Sequence, residues 1–339
     1  MDDINKLCKD AARWLPPIEP HYKRIIYNFI NSISQEEKFT TTLLNIYVKN
    51  IYPYIEVLGL SSKPRKEDCA ASGILFFYGC LFYIMHFPNW GNHIEDIFLY
   101  NILYILVDHY IDDINVDSHT KNKVIDQMYI LVDNPKKHET MKLIDPCLKV
   151  ISIIYDKLLT KCPNIKPYII KLFQAEIDGL LIQNNPSHNR ETYYNIACLK
   201  GGYTMLVLQA IVGNNDPYIR RATFDLGVII QLIDDSQDIL IDTEKSIHTI
   251  ATYDSATTSF LDNLWADIIN RILNINGYFN IFKVLFMFVM MYLPDKNPST
   301  YSQKLRVETN KFNLFDRFIG NKSIDYLLVK NISKCISPI

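Results

Sequence analysis

The sequence predicts an all-α chain, and three features carry that prediction. Apolar residues recur at helical spacing over long stretches, punctuated by Pro, Asn and Asp clusters. Glycine is scarce, 11 in 339 residues, and apolar–polar alternation bounded by glycine turns is hard to find. No solenoid-length repeat and no long polar linker divides the chain, so residues 1–339 are expected to form a single helical domain.

Helices are expected near 21–34, 36–58, 67–87, 92–115, 119–133, 138–161, 165–184, 190–213, 216–242, 257–276, 278–293 and 300–317. Pro16-Pro17 precedes the first, and Ser61 to Pro64 ends the second. Phe87-Pro88-Asn89 closes the third, Asn134-Pro135 the fifth and Cys162-Pro163 the sixth. Asn184 to Ser187, Asn214 to Pro217 and Leu293 to Pro298 mark the later breaks. Proline supplies these stops because it lacks the N–H and clashes with the preceding turn.

The bulk numbers exclude several classes. At 48% hydrophobic there is ample material for a core, and a net charge of −2 gives no basic excess for a nucleic-acid partner. Seven cysteines, scattered and without a CxxC pair, read as a reduced chain rather than a disulfide scaffold or zinc module. The start, Met1-Asp2-Asp3-Ile4-Asn5-Lys6, is too polar for a signal peptide, so a cytoplasmic protein is expected. The longest apolar runs, Ile74–Phe87, Ile97–Val107 and Val284–Leu293, fall short of a bilayer span. They read as buried helices.

Two acidic clusters carry chemistry: Asp108-His109-Tyr110-Ile111-Asp112-Asp113, and Asp234-Asp235-Ser236-Gln237-Asp238 with Asp242 beyond it. Each follows an apolar run, Ile97–Val107 and Leu226–Ile233, so its carboxylates sit at the end of a segment expected to be buried. Carboxylates are costly to desolvate without a counterion. On a helix, residues i and i+4 share a face about 6 Å apart along the axis. Asp108 and Asp112 form one such pair, and Asp234, Asp238 and Asp242 a ladder. Mg²⁺ takes oxygen ligands and is held by one or two carboxylates plus substrate phosphates. Two such walls would hold Mg²⁺ around a diphosphate and polarise the bond to that leaving group. His109 beside Asp108 and Asp112 has no further His or Cys at zinc-ligand spacing.

With these motifs the chain resembles the class I isoprenoid synthases, the helical family of terpene synthases, trans-prenyltransferases and squalene-type synthases. The resemblance covers about residues 60–320. Asp108 to Asp113 resembles the first aspartate-rich motif, with His109 where prenyltransferases usually carry Asp. Gln231-Leu232-Ile233-Asp234-Asp235-Ser236-Gln237-Asp238 is similar to the second DDxxD, and to the terpene synthase (N/D)Dxx(S/T)xxxE pattern if Asp238 and Asp242 replace Ser and Glu. The resemblance implies a helical bundle around a central cavity, with metal on Asp108, Asp112, Asp113, Asp234, Asp238 and Asp242. It implies Mg²⁺, about three ions with diphosphate bound and Mn²⁺ as a substitute.

Tyr193 to Gly202 resembles the helix that carries the Lys-Thr pair of prenyltransferases or the sensor Arg of terpene synthases, which puts Lys200 on diphosphate and Arg190 second. Gly201-Gly202 costs about 1 kcal/mol per glycine in a helix. Either a backbone break lining the cavity or close helix packing explains it. Arg317-Phe318 resembles the Arg-Tyr diphosphate clamp. Among 22 Tyr and 17 Phe, Phe76, Phe77, Tyr83 and Tyr104 are cavity candidates that would steady a carbocation.

An elongating prenyltransferase also binds isopentenyl diphosphate, normally through an Arg pair after the first motif. Asn115 to Lys121 holds none, and Lys63-Pro64-Arg65 is at best a remnant of the upstream site. The expectation is therefore a Mg²⁺-dependent terpene synthase acting on one prenyl diphosphate, farnesyl diphosphate by domain size, with a homodimer plausible. The alternatives are a trans-prenyltransferase or head-to-head synthase, and a catalytically degenerate helical subunit that binds a prenyl ligand or partner. Ile241 stands where terpene synthases usually keep a Lys.

Overall fold

A computed structural model describes residues 37–57, 69–70, 72–73, 90–111, 118–183, 187–213, 216–258 and 262–275. Every regular element among them is helical, with no strand, as the glycine-poor, helically spaced sequence requires. The expected helices near 21–34, 278–293 and 300–317, and most of 67–87, lie outside the described residues. No helix among the described residues is long and apolar enough to cross a membrane.

The described residues fall into two compact units, one holding those of 37–170 with 210–213, the other those of 171–209 with 216–275. The first unit carries α1 (Glu37–Asn50), α2 (Tyr52–Val57), α3 (Ile94–Ile111), α4 (Ser118–Asp133) and α5 (Cys147–Lys161). The expected helix over 36–58 is thus two pieces, meeting at Ile51. The heart of this unit is α3, whose residues Asp96–Leu106 are buried except Tyr104. Acidic residues open α3, and Lys161 at the end of α5 meets them, with Nζ 2.9 Å from Asp96 and 3.4 Å from Glu95. Each charge faces the helix end whose dipole favours it.

Helix α5 begins at Cys147, nine residues later than the spacing predicts. Pro146 has no N–H to continue the ladder backwards, and Pro135–Glu139 instead make a 3₁₀ turn. The intervening strap is held by Gln127, whose amide donates to the Lys142 carbonyl and accepts from the Ile144 N–H, each at 2.9 Å.

Six described helices contribute to the second unit: α6 (Lys166–Gln183), α7 (Arg190–Ile211), α8 (Pro217–Gln237), the short α9 (Ile239–Glu244), α10 (Ile250–Thr258) and α11 (Asp262–Ile275). The sequence reading merged α8 and α9 and missed most of α10. A reciprocal cap starts α10: the Thr252 N–H donates to Thr249 Oγ1 at 3.3 Å and the Thr249 N–H to Thr252 Oγ1 at 2.8 Å. This is capping-box logic with Thr in place of Glu, which is why the usual signature is absent. Leu264, Trp265, Ile268 and Ile272 give α11 one fully buried face.

Asp216 caps α8, its carboxylate accepting from the Tyr218 N–H at 2.8 Å and the Ile219 N–H at 3.4 Å, with Pro217 in the first turn. Asp216→Ala is expected to lower stability by about 1 kcal/mol, read from urea unfolding, because two N–H groups lose their acceptor. An unchanged midpoint would contradict that role for the cap.

Candidate functional site

The acidic end of α8 stands as the spacing predicts. Leu226–Ile229, Leu232 and Ile233 are buried, Gln231 is half-buried, and Asp234 and Asp238 are exposed. The helix is interrupted at Asp238, but its N–H still donates to the Asp234 carbonyl at 3.0 Å, and the Asp242 N–H to the Asp238 carbonyl at 2.8 Å. The three carboxylates therefore keep an i, i+4 register across two helices rather than along one.

Asp235, named in the motif but not among the expected ligands, is the buried member, at 9% exposure. Gln231 Nε2 donates to its Oδ1 at 2.9 Å. Burial pushes its carboxyl up to about 7; the Gln231 hydrogen bond and Lys200 oppose this, while Asp234 and Asp242 add to it. Asp234, crowded yet reaching solvent, is also raised, by burial and then by Asp238, with Lys200 opposing. Asp238 is raised by burial, against Lys245. Negative charge is concentrated here.

Lys200, on α7, is the cation whose field reaches both Asp234 and Asp235. Its ammonium lies 2.8 Å from Glu176 Oε2 on α6. Sequence reasoning did not single out Glu176. Its signal was a lone acid among Phe173, Ala175 and Ile177, all buried, since a buried carboxylate demands a cation. Lys200, Gln231, Asp235, Tyr193, His248 and Thr249 border a cleft with about 280 Å³ of empty space that merges with solvent. Only about 20 Å³ of it is sheltered space, room for little more than one water-sized group and far below the volume of a ligand-enclosing pocket.

Gly201 and Gly202 do not break α7, which runs unbroken from Arg190 to Ile211. A Cβ at Gly201 would strike the Gly227 carbonyl and come 2.7 Å from Gln231 Cβ; one at Gly227 would strike the Gly201 carbonyl; one at Gly202 would enter the Phe224 ring. Of the two explanations for this glycine pair, close helix packing is the one that holds. These glycines let α7 and α8 cross backbone to backbone, which brings Lys200 beside Gln231 and Asp235.

Arg190, the second choice for diphosphate, is engaged elsewhere. Its Nε and Nη2 donate to the two oxygens of Asp254, fully buried on α10, at 2.7 and 2.9 Å, and Nη2 to Asp267 on α11 at 2.8 Å. The Tyr194 ring lies 5.9 Å from its guanidinium and 5.4 Å from that of Arg271, which also donates to the Tyr194 hydroxyl and pairs with Asp225. Arg190 ties α7, α10 and α11 together. Arg190→Lys keeps the charge but loses the fork, and is expected to cost about 2 kcal/mol in chemical denaturation. A variant as stable as the parent would show that the fork geometry contributes nothing.

In the first unit, Asp108 sits in the last turn of α3. Tyr104, Val107 and Asp108 are partly exposed in an otherwise buried stretch, so they form the open stripe expected of the first cluster. Asp112, Asp113, Phe76, Phe77, Tyr83 and Arg317 lie outside the described residues. Among the described residues no three His, Cys, Asp or Glu side chains gather into a preformed metal centre. Mg²⁺ takes oxygen ligands and keeps several waters, so one or two carboxylates with a substrate phosphate can hold it. No protein-family model, no curated protein and no solved structure matches this chain.

Proposed function

We propose that the protein is a Mg²⁺-dependent class I terpene synthase, one helical domain acting on a prenyl diphosphate, with farnesyl diphosphate the first substrate to test. The observation that carries this reading is the Asp234–Asp238–Asp242 register, preserved by backbone hydrogen bonds across a helix interruption, with the Asp234 carboxyl raised in proton affinity by burial and then by Asp238, and that of Asp238 by burial. A carboxylate disfavoured as an anion by burial or by its neighbours gains from a divalent cation. Asp234, Asp238 and Asp242 would hold metal, and Asp108, Asp112 and Asp113 are proposed as metal ligands too.

Mg²⁺ with diphosphate bound supplies charge neutralisation of the leaving group. The allylic C–O bond breaks with its electron pair leaving on the diphosphate oxygen, and the carbocation closes a ring. It then loses a proton, or takes water and loses one. Lys200 and Arg317 would contact diphosphate, and Tyr104, one turn before Asp108 on the open stripe of α3, would present an aromatic face to the cation.

One observation favours a second reading, a degenerate helical subunit that binds a prenyl ligand or a partner. Lys200 and Arg190, the described cations expected on diphosphate, each already face carboxylates.

Incubating the chain and Mg²⁺ with geranyl, farnesyl or geranylgeranyl diphosphate, with and without isopentenyl diphosphate, separates the readings. A hydrocarbon or alcohol from one diphosphate, lost in Asp234→Ala and Asp108→Ala, is the expected result. Longer diphosphates formed only with isopentenyl diphosphate would replace it by elongation. Inertness in every mixture, with unchanged ligand-induced thermal shifts in both variants, leaves the degenerate subunit.

A further inference from the structure

We infer that Glu176 is a positioning residue that holds the Lys200 ammonium on the α6 side of the cleft, so that Lys200 only partly offsets the Asp234 charge and leaves that carboxylate open to a divalent cation. The inference rests on the reading of Asp234, Asp238 and Asp242 as metal ligands.

Three features of α6 and α7 support it. Glu176 is 5% exposed, and its Oε2 lies 2.8 Å from Lys200 Nζ. Gly179, one turn further along α6, lies against the lysine stem: a Cβ there would stand in ordinary contact with Lys200 Cδ at 3.5 Å and tightly against Ile196 Cγ2 at 3.2 Å. On its other side, Lys200 shares the cleft with Asp235 and Gln231, and its field reaches Asp234 as well as Asp235. The ammonium thus lies between two sets of carboxylates, with α6 against its stem and head. Were it drawn to the α8 side instead, one positive charge would occupy the field that a metal ion needs. An arriving diphosphate, in contrast, gains from a lysine that is released. Glu176 therefore acts on cations and anions in opposite directions, and does so through Lys200.

The test uses the full chain carrying Glu176→Gln, alone and in a Lys200→Met background, with thermal melting to establish that each is folded. Mn²⁺ affinity is measured by electron paramagnetic resonance of the free ion, and inorganic diphosphate affinity by calorimetry in metal-free buffer. Glu176→Gln is expected to raise the Mn²⁺ Kd about tenfold and lower the diphosphate Kd by a similar factor, the effect of one charge moved a few ångströms in a part-buried site. With Lys200→Met, Glu176 is buried without its cation and takes a proton. Glu176→Gln should then move neither constant by more than about twofold.

Both affinities weakening together would reveal a merely structural role and overturn the inference. So would an undiminished effect in the Lys200→Met background, or a parent chain that binds no Mn²⁺. If Glu176→Gln does not fold, Glu176→Asp, which keeps the charge on a shorter arm, must show the same opposite signs at smaller size or the inference fails. Turnover of prenyl diphosphates is measured separately. Its absence beside intact opposite shifts strikes the synthase reading and leaves the positioning role standing.

Discussion

Gly227→Ala is expected to lower stability by about 3 kcal/mol, although alanine is the better helix former. The propensity gain is about 1 kcal/mol. Against it stands a Cβ placed inside the Gly201 carbonyl group and 2.9 Å from Met205 Cγ. A side chain at the far end of a rotamer can swing away; the backbone of a packed helix cannot, so α7 and α8 must separate along their crossing. Separation would also draw Lys200 away from Gln231 and Asp235. Gly91, with nothing within 4 Å of an added Cβ, is the control, and Gly91→Ala should be close to neutral. Guanidinium unfolding of the two variants decides the matter. Equal midpoints for Gly227→Ala and the parent would show that the helices are not in backbone contact.

Asp235 predicts a stability that falls with pH in metal-free protein. Its carboxyl titrates at about 7 in the folded chain against an ordinary value of 3.8. A raised acid holds its proton longer when folded than when unfolded, so the folded state binds more protons between those values. Stability then drops as pH rises from about 4 to about 7, and is level above, by roughly 4 kcal/mol if the shift is fully expressed. The raised Asp234 and Asp238 act with the same sign. Asp235→Asn keeps an oxygen for the Gln231 amide and removes the ionisation. In chelator-containing buffer the variant should match the parent near pH 4 and exceed it at pH 8. A parent that is as stable at pH 8 as at pH 4 relative to Asp235→Asn would mean the carboxyl is not buried as described.

The helical class and the acidic clusters were legible because both are written in local period. Ile97–Leu106 and Leu226–Ile233 announce buried helix by apolar runs, and Asp108 and Asp234 mark where each run meets solvent. What was not legible depends on residues distant in sequence. Glu176 acquires meaning only through Lys200, and Arg190 only through Asp254 and Asp267. Gly201-Gly202 was ambiguous by itself, since a break and a crossing ask for the same residue; Gly227 on the neighbouring helix decides it. The start of α5 was misplaced because Pro146 was read through, and α10 because a Thr–Thr cap does not resemble the commoner Thr–Glu form.

The interruption at Asp238 divides the acidic ladder into two mechanical regimes. Asp234 rides on a 21-residue helix with a buried face, whereas Asp242 rides on six residues, none of them buried. A turn with so little apolar anchorage opens at small free-energy cost. One end of the ladder is therefore stiff and the other compliant. If the ladder holds metal as proposed, an ion that demands near-ideal octahedral geometry would find its first oxygen fixed in place and its last able to adjust, and selection among cations would fall on the joint rather than on the spacing of the carboxylates.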